Sequence, residues 1–248
     1  MNKIILGLLG IFLLYGCVSK EQKPPTETTE NPAALAVKGE GDWWVNRHQT
    51  IISRLEKNPE LILIGNSIFH SLDHENRQEV WETYLDQYKA VNMGISGDRT
   101  ENVIWRLQNG SLENIQPKVA LVLIGTNNTD GNHYLNISTA EELSGGIWRI
   151  CEIVEEKLPD TKILIMGILP YGYKPNHRDN INKTTNSLIS KFPEKNSNIY
   201  YIDIGDVYLD SEGKVNKDLM PDYLHPNLEG HLLMFEALVD DIAGLMVE

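Results

Sequence analysis

The sequence has 248 residues, of which 41% are hydrophobic and 23% are charged. This length and composition are typical of a globular protein with one large domain or two small ones, and they exclude wholesale disorder. The 35 acidic residues outnumber the 22 basic ones, and the resulting net charge of −13 argues against a surface that binds nucleic acid. Two cysteines are too few for a disulfide scaffold or a cysteine-rich zinc module.

The N-terminal segment has the pattern of a secretory signal. Lys3 precedes a short apolar run over residues 4–15, which falls short of the roughly 20 residues needed to cross a bilayer. Residues 14–17 resemble a bacterial lipobox, a signal in which the cysteine is lipidated. We therefore predict a lipoprotein signal peptide over residues 1–16 and a lipidated Cys17, with a plain cleaved signal as the alternative. Lipidation would make the membrane a partner and place the protein in the bacterial cell envelope, at the outer membrane or the cell surface.

The segment that follows, residues 17–41, is predicted to be a flexible tether. It contains Pro24, Pro25 and Pro32 together with several threonines and glutamates, a composition typical of extended linkers. The folded domain is predicted to occupy residues 42–248.

Short apolar runs alternate with helical patterns through this domain. The predicted strands cover residues 61–64, 90–93, 119–124, 162–166 and 199–203, and the predicted helices cover 43–55, 100–107, 138–157 and 228–246. The third helix is expected to begin with a capping box at residues 138–141, and Cys151 within it is expected to be a buried structural residue. Continuous apolar strands are typical of parallel sheets buried on both faces. The pattern predicts a three-layer α/β/α sandwich with a five-stranded parallel sheet, whose site lies at the carboxyl ends of the strands.

Polar residues follow several of these strands. Ser67 comes after the first strand, Gly97 after the second and Asn127 after the third, while Asp222 and His225 precede the last helix. Each has an ordinary structural explanation alone, as a helix cap, a turn residue or a surface residue. Together they supply a nucleophile, a base, a carboxylate that orients the base and an amide donor, which are the groups that acyl transfer requires.

Each of these residue types has a chemical reason. A serine hydroxyl needs a neighbouring base, and a histidine can accept its proton near neutral pH. Asp222 would hold the imidazole of His225 in the correct tautomer. The backbone N–H groups of Ser67 and Gly97, with the Asn127 amide, could stabilise an oxyanion. Asp98 and Arg99, beside Gly97, are candidates to brace this loop or simply to form an ordinary ion pair.

These blocks resemble the SGNH (GDSL-type) hydrolases, which are named for serine, glycine, asparagine and histidine in four sequence blocks. Ser67, Gly97, Asn127 and His225 match the blocks, and Asp222 stands in the family's D-x-x-H arrangement. The likeness is greatest to the branch of the platelet-activating-factor acetylhydrolase IB alpha subunits and their bacterial relatives. It implies a flavodoxin-like fold and a serine esterase without cofactor or metal. Asn66 departs from the pattern, because the family commonly has aspartate before the serine.

The resemblance also implies a substrate class and leaves alternatives open. Members hydrolyse acetyl and other short acyl esters on sugars or lipids, and an envelope location favours acetyl esters of carbohydrates. The related subunits dimerise, which implies a homodimer that no residue here indicates. One alternative is a glycan- or lipid-binding lipoprotein that has lost turnover, favoured by Asn66, and another is an acyltransferase.

Two aromatic and two histidine residues have open interpretations. Trp43 and Trp44 could form a platform that stacks on sugars, or could pack as core under the first helix. His70 and His74 have the spacing of two metal ligands on a helix, but no third ligand accompanies them, so we predict no metal site.

Overall fold

The computed structural model describes residues 30–174 and 176–247, and the predicted signal peptide and Cys17 lie outside them. The described residues form one five-stranded parallel sheet in the order β2-β1-β3-β4-β5. The strands are β1 (Leu61–Gly65), β2 (Val91–Asn92), β3 (Val119–Leu123), β4 (Lys162–Met166) and β5 (Ile199–Ile202). This order is the flavodoxin-like arrangement of doubly wound sheets.

Helices cover both faces of the sheet. The α-helices are α1 (Asp42–Leu55), α2 (Ser67–His70), α3 (Gln78–Val80), α4 (Thr100–Gln108), α5 (Ala140–Lys157), α6 (His177–Ile189) and α7 (Leu228–Val247). Single-turn 3-10 segments lie at Pro32–Ala34, Ser71–Asp73, Glu75–Arg77, Asp86–Tyr88, Thr126–Thr129, Phe192–Glu194 and Gly205–Tyr208, and a π-turn lies at Trp81–Leu85. Among residues 30–174 and 176–247, no helix is long and apolar enough to cross a bilayer.

Alternation along the strands divides the core into two layers. Ile62 and Ile64 of β1 pack with α1, α4, α5 and α6, whereas Leu61 and Leu63 of the same strand pack with α2, α3 and α7. Because successive strand residues point to opposite faces, a strand that is apolar throughout must be covered on both sides. The predicted three-layer α/β/α sandwich with five parallel strands is confirmed.

Several element boundaries differ from the prediction. The predicted second strand is only the pair Val91–Asn92, at the edge of the sheet. The capping box of α5 is formed by Thr139 and Glu142, one residue later than expected. Helix α6 was not predicted, because its buried face carries polar residues such as Asn182 and Asn186. Cys151 is buried as expected, and its burial raises the pKa of the thiol.

The predicted tether over residues 17–41 is wrong for its last part, residues 30–41. Ala33 is fully buried, and its carbonyl accepts a hydrogen bond from the Thr100 hydroxyl at 2.8 Å. The Asn31 amide donates to the backbone of Glu142 at 2.8 Å, and the N–H of Val37 donates to the carbonyl of Glu101. These contacts attach the segment to α4 and α5, so the packed domain extends to residue 30 and not only to residue 42.

Candidate active site

Ser67 lies where β1 ends and α2 begins. The preceding residue, Asn66, caps α2, because its side-chain oxygen accepts a hydrogen bond from the N–H of Ile68 at 3.1 Å. As the first helical residue, Ser67 has an N–H without an intrahelical acceptor. The turn from strand to helix therefore presents both the hydroxyl and the N–H of Ser67 at the carboxyl edge of the sheet.

Asp222 and His225 lie together on the loop before α7. One oxygen of Asp222 accepts hydrogen bonds from the N–H groups of Leu224 and His225, at 3.0 and 2.7 Å. Its other oxygen is 2.6 Å from Nδ1 of His225. Between them, Tyr223 takes a left-handed conformation with φ of 60°, which turns the chain back and lets residue 225 face residue 222.

The three side chains form a hydrogen-bonded relay. Nε2 of His225 is 2.8 Å from the Ser67 hydroxyl. Because the Asp222 carboxylate can only accept at Nδ1, the neutral imidazole carries its proton there and leaves Nε2 free to accept from Ser67. Partial burial acts to raise the pKa of Asp222, but the hydrogen bonds from His225 outweigh it and the net pKa is lowered. Asp222 is therefore a charged partner for the imidazole at neutral pH.

Gly97 and Asn127 follow β2 and β3, the two strands that flank β1 in the sheet. Gly97 has a φ of +83°, which residues with a side chain rarely adopt. The Asn127 side-chain N–H₂ donates one proton to the carbonyl of Asp98 at 2.9 Å. An amide nitrogen has two protons, so the second is available to a substrate. The predicted donors of an oxyanion hole thus lie at neighbouring strand ends.

Distant residues brace this oxyanion loop, residues 96–98. Asp98 is only 1% exposed and accepts from the indole N–H of Trp44 at 2.7 Å and from the Arg106 guanidinium at 2.8 Å. The Tyr134 hydroxyl donates to the carbonyl of Gly97 at 2.6 Å. Asp98 therefore serves as the brace that the sequence suggested, and as one partner of an ion pair.

His70 holds the same loop from the other side. The N–H of Ser96 donates to Nδ1 of His70 at 3.1 Å, and the Ser96 hydroxyl lies 2.9 Å from the same nitrogen. Burial lowers the pKa of His70 to about 4, so it is a neutral acceptor. In the described part of the chain, no group of three or more His, Cys, Asp or Glu residues is arranged to hold a metal ion.

A buried pair supports the loop that carries His225. Nε2 of His231 is 3.0 Å from the carbonyl of Ile68, the residue after Ser67. Arg77 donates from Nε to Nδ1 of His231 at 3.1 Å and from Nη2 to the carbonyl of Pro226 at 3.3 Å. Since a guanidinium can only donate, the His231 imidazole carries its proton on Nε2. This pair links the serine turn to the histidine loop.

The sequence analysis did not identify the supporting roles of Arg106, Tyr134, His70, Arg77 and His231. All but Arg106, which lies eight residues from Asp98, act through a residue far away in sequence, and none belongs to a recognisable pattern of spacing. Trp44 was singled out as either core or platform, and the structure places it in the core at 3% exposure.

Ser67, Asp222 and His225 open onto a cleft of about 400 Å³. Its walls are formed by Ser67, Ser71, His74, Arg77, Ser96, Pro221, Asp222, His225, Pro226 and Asn227. Behind it, the Asn66 side-chain nitrogen is fully buried and has no hydrogen-bond partner among the described residues. A buried donor without an acceptor costs about 1 to 3 kcal/mol, so Asn66 is a local weakness at the serine turn.

Comparison with known proteins identifies the family of this chain. The sequence profile of the GDSL-like Lipase/Acylhydrolase family matches residues 63–233, which include Ser67, Gly97, Asn127, Asp222 and His225. The chain is 33% identical over 223 residues to platelet-activating factor acetylhydrolase IB subunit alpha2 from Rattus norvegicus, covering 88% of this chain and 93% of the relative.

Solved structures show the same fold. A GDSL-like lipase from Bacteroides thetaiotaomicron is similar with a TM-score of 0.63 and 18% identity, over 80% of this chain and 97% of that one. An acetylxylan esterase from Geobacillus stearothermophilus is similar with a TM-score of 0.58 and 15% identity, over 74% of this chain and 94% of that one. The resemblance inferred from the sequence blocks is confirmed. The chain belongs to the GDSL-like lipase/acylhydrolase family and is an ester-hydrolysing enzyme.

Proposed function

We propose that the protein is a serine esterase that removes short acyl groups, above all acetyl, from carbohydrate esters. The observation that carries the proposal is the 2.8 Å contact between the Ser67 hydroxyl and Nε2 of His225, with Asp222 at 2.6 Å from the other ring nitrogen. A nucleophile, its base and a group that orients the base stand in line.

The first half of the reaction makes an acyl-enzyme. His225 takes the Ser67 proton while Oγ attacks the ester carbonyl carbon, and the carbonyl oxygen becomes an oxyanion. The N–H groups of Ser67 and Gly97 and the free amide proton of Asn127 stabilise that charge. The tetrahedral intermediate then collapses, the bond to the alcohol oxygen breaks, and His225 returns its proton to the departing alkoxide.

The second half releases the acid. His225 takes a proton from a water molecule, whose oxygen attacks the acyl carbon through the same oxyanion hole. The bond to Ser67 Oγ then breaks and His225 gives the proton back to the serine. Net, one ester and one water become one alcohol and one carboxylic acid, and the enzyme returns to its starting state.

Two observations support a short acyl group. The cleft at Ser67 is small, at about 400 Å³, and Pro221 and Pro226 are among the residues that line it. Two of the similar proteins are an acetylhydrolase and an acetylxylan esterase, names that describe action on acetyl groups. A carbohydrate alcohol fits the acetylxylan esterase relative and the proposed location in the cell envelope.

The test is hydrolysis of p-nitrophenyl acetate, butyrate and octanoate by the purified protein and by its Ser67→Ala variant. We expect turnover that is highest for acetate, falls with acyl length and is absent in the variant, whose circular dichroism should match the original. Full activity in Ser67→Ala would overturn the assignment of the nucleophile. Absence of turnover in the folded original would favour a binding protein, and acyl transfer to an added sugar acceptor would favour a transferase.

We also propose that Cys17 carries the lipid that anchors the enzyme in the bacterial cell envelope. The support is the lipobox-like sequence at residues 14–17 and the apolar run before it. Mass spectrometry of the N-terminal peptide from membranes should show an acylated Cys17. A Cys17→Ser variant should be released to the soluble fraction, and an unmodified Cys17 in the membrane fraction would contradict the proposal.

A homodimer is a further proposal, supported by relatives that are named as subunits of an acetylhydrolase. Light scattering on the purified protein measures its mass directly. A mass near the 28.1 kDa of one chain would contradict the dimer.

A further inference from the structure

A second cavity adjoins the catalytic cleft across the oxyanion loop. Its volume is about 710 Å³, larger than the cleft at Ser67, and Ser96 lines both. Gly97 and Asp98 form part of its wall. We name it the aromatic cavity, after Trp43, Trp44 and Tyr134 in its lining. A ligand that reaches Ser67 from this side would cross Ser96 and extend into this cavity.

The two neighbouring tryptophans in this cavity have opposite environments. Trp44 is 3% exposed, and its indole N–H is bonded to Asp98. Trp43 is 55% exposed, and no hydrogen bond of its indole N–H is found among the described residues. Trp44 accounts for the packing beneath α1, so the exposed ring of Trp43 is not explained by the core. A large aromatic ring exposed at a cavity wall is typical of a surface that a ligand covers.

The polar groups around Trp43 are mixed in type. The lining includes both charges and amides, from Lys38, Glu40, Arg99, Asn102, His133 and Asn136. Arg99 also lies over the Tyr134 ring at 5.1 Å, which fixes that ring beside Gly97. Aliphatic lining is limited to Pro32, Val37 and Leu135.

This mixture selects among ligands. An acyl chain needs continuous aliphatic walls. If one filled this cavity, the polar side chains of the lining would lose their hydrogen bonds to water and gain none from the chain, which disfavours such a ligand. A polyanion would need an excess of cations, whereas Glu40 and Glu101 offset Lys38 and Arg99. A sugar has an apolar C–H face that packs on a flat ring and a rim of hydroxyl groups that exchange hydrogen bonds with amides and carboxylates.

We propose that the aromatic cavity binds the carbohydrate portion of the ester, with a sugar ring next to the acylated one stacked on Trp43. This inference rests on the proposed esterase function and makes Trp43 a specificity-determining residue. The oxyanion loop then separates two subsites, with the acyl group on the Ser67 side and the glycan on the Trp43 side.

The test compares Trp43→Phe with Trp43→Leu, because phenylalanine keeps a flat ring and leucine keeps only apolar contact. Acetylated xylo-oligosaccharides and p-nitrophenyl acetate are the two substrates. We expect the ratio of kcat/KM for the oligosaccharide to kcat/KM for p-nitrophenyl acetate to fall about tenfold in Trp43→Leu, chiefly through KM. Trp43→Phe should retain most of the ratio of the original protein.

Three results would overturn the proposal. An unchanged ratio in Trp43→Leu would show that the ring does not contact the glycan. With p-nitrophenyl octanoate added as a third substrate, a loss confined to that ester would show that an acyl chain occupies the cavity. A lower molecular mass for Trp43→Leu by light scattering would show that a second copy of the chain covers Trp43.

A binding measurement separates this inference from the proposed function. Ser67→Ala, which cannot turn over, is titrated with non-acetylated xylo-oligosaccharide while the heat of binding is measured by isothermal titration calorimetry. Saturable binding that Trp43→Leu abolishes in the Ser67→Ala background supports the subsite even if the original protein hydrolyses neither ester. Hydrolysis of p-nitrophenyl acetate without any such binding would retain the esterase and overturn the subsite.

Discussion

The base side of the site pairs two residues of one short loop, Asp222 and His225, whereas the contacts of the oxyanion side include residues from distant parts of the chain. The side chains of Asp222 and His225 are 56% and 36% exposed, and their mutual contact spans three residues. On the oxyanion side, Asp98 is 1% exposed and bonds to Trp44, 54 residues away. Tyr134 reaches Gly97 over 37 residues.

The difference follows from what each side does. A base must move protons and turn slightly between Ser67 and the leaving group, and an exposed loop with local hydrogen bonds allows this. An oxyanion hole works by being fixed before the charge develops, because donors that must first reorient lose part of their effect. Buried bonds from Trp44 of α1 and Arg106 of α4, together with the bond from Tyr134, supply that fixation.

The largest loss of activity is expected from a substitution on the base side. His225→Ala removes the group placed to accept the Ser67 proton, so kcat should fall on the order of 10⁴- to 10⁶-fold on p-nitrophenyl acetate. Because the side chain is partly exposed, the melting temperature should change little. A variant that keeps more than a few per cent of the original rate would mean that another base activates Ser67.

On the oxyanion side, Asn127→Ala should lower kcat on the order of 10² to 10³, the usual loss for one donor. The same substitution removes a bond to the Asp98 carbonyl, so Asn127→Asp is the informative companion. It keeps the size but places an acceptor where the oxyanion forms, and should be at least as inactive. An active Asn127→Asp variant would exclude the amide as a donor.

The sequence predicted the base side better than the bracing of the oxyanion side. The spacing of Asp222 and His225 is a local pattern, and Ser67 and Asn127 follow strands that are recognisable from continuous apolar runs. By contrast, no spacing connects Tyr134 to Gly97 or Arg106 to Asp98, because those contacts exist only once α4 and the loop after β3 have packed.

Helix α6 shows a second reason why part of the structure was not predicted from the sequence. Its buried residue Asn186 donates to and accepts from the backbone of Ile168, at 2.9 and 2.8 Å, in place of apolar packing. A periodic apolar stripe is the main sequence signal of a helix against a sheet, and this helix meets the chain after β4 through amides. The pattern alone therefore gave no helix over residues 177–189.

His231, which supports the loop that carries His225, should make the free energy of unfolding depend on pH. Burial lowers the pKa of His231 to about 4 from the ordinary 6.5, so the folded protein holds it neutral. Unfolding between these values takes up a proton, so the free energy of unfolding should fall as the pH drops from 6.5 to 4, by about 3 kcal/mol for this group. Denaturant unfolding measured across this range tests the effect.

A His231→Gln variant provides the control for that slope. Its free energy of unfolding is expected to be lower at pH 7, because the bonds to Ile68 and Arg77 are disturbed, but its fall towards pH 4 should be shallower. An identical slope in both proteins would show that other groups, such as His48 and His70, whose pKa values burial also lowers, account for the acid sensitivity.

The smallest effect is expected from Tyr134→Phe. This substitution removes one hydroxyl group that supports the oxyanion loop, and it leaves the proposed reacting groups Ser67, Asp222 and His225 in place. Tyr134→Phe deletes the bond to the Gly97 carbonyl, and a net hydrogen bond is worth about 0.5 to 1.5 kcal/mol, so kcat on p-nitrophenyl acetate should fall up to about tenfold with KM nearly constant. Tyr173→Phe is the matched control, because Tyr173 is 56% exposed and no partner of its hydroxyl is found among the described residues. A loss in KM alone would assign Tyr134 to substrate contact, whereas a loss in kcat alone would show that the oxyanion side depends on being held rigid.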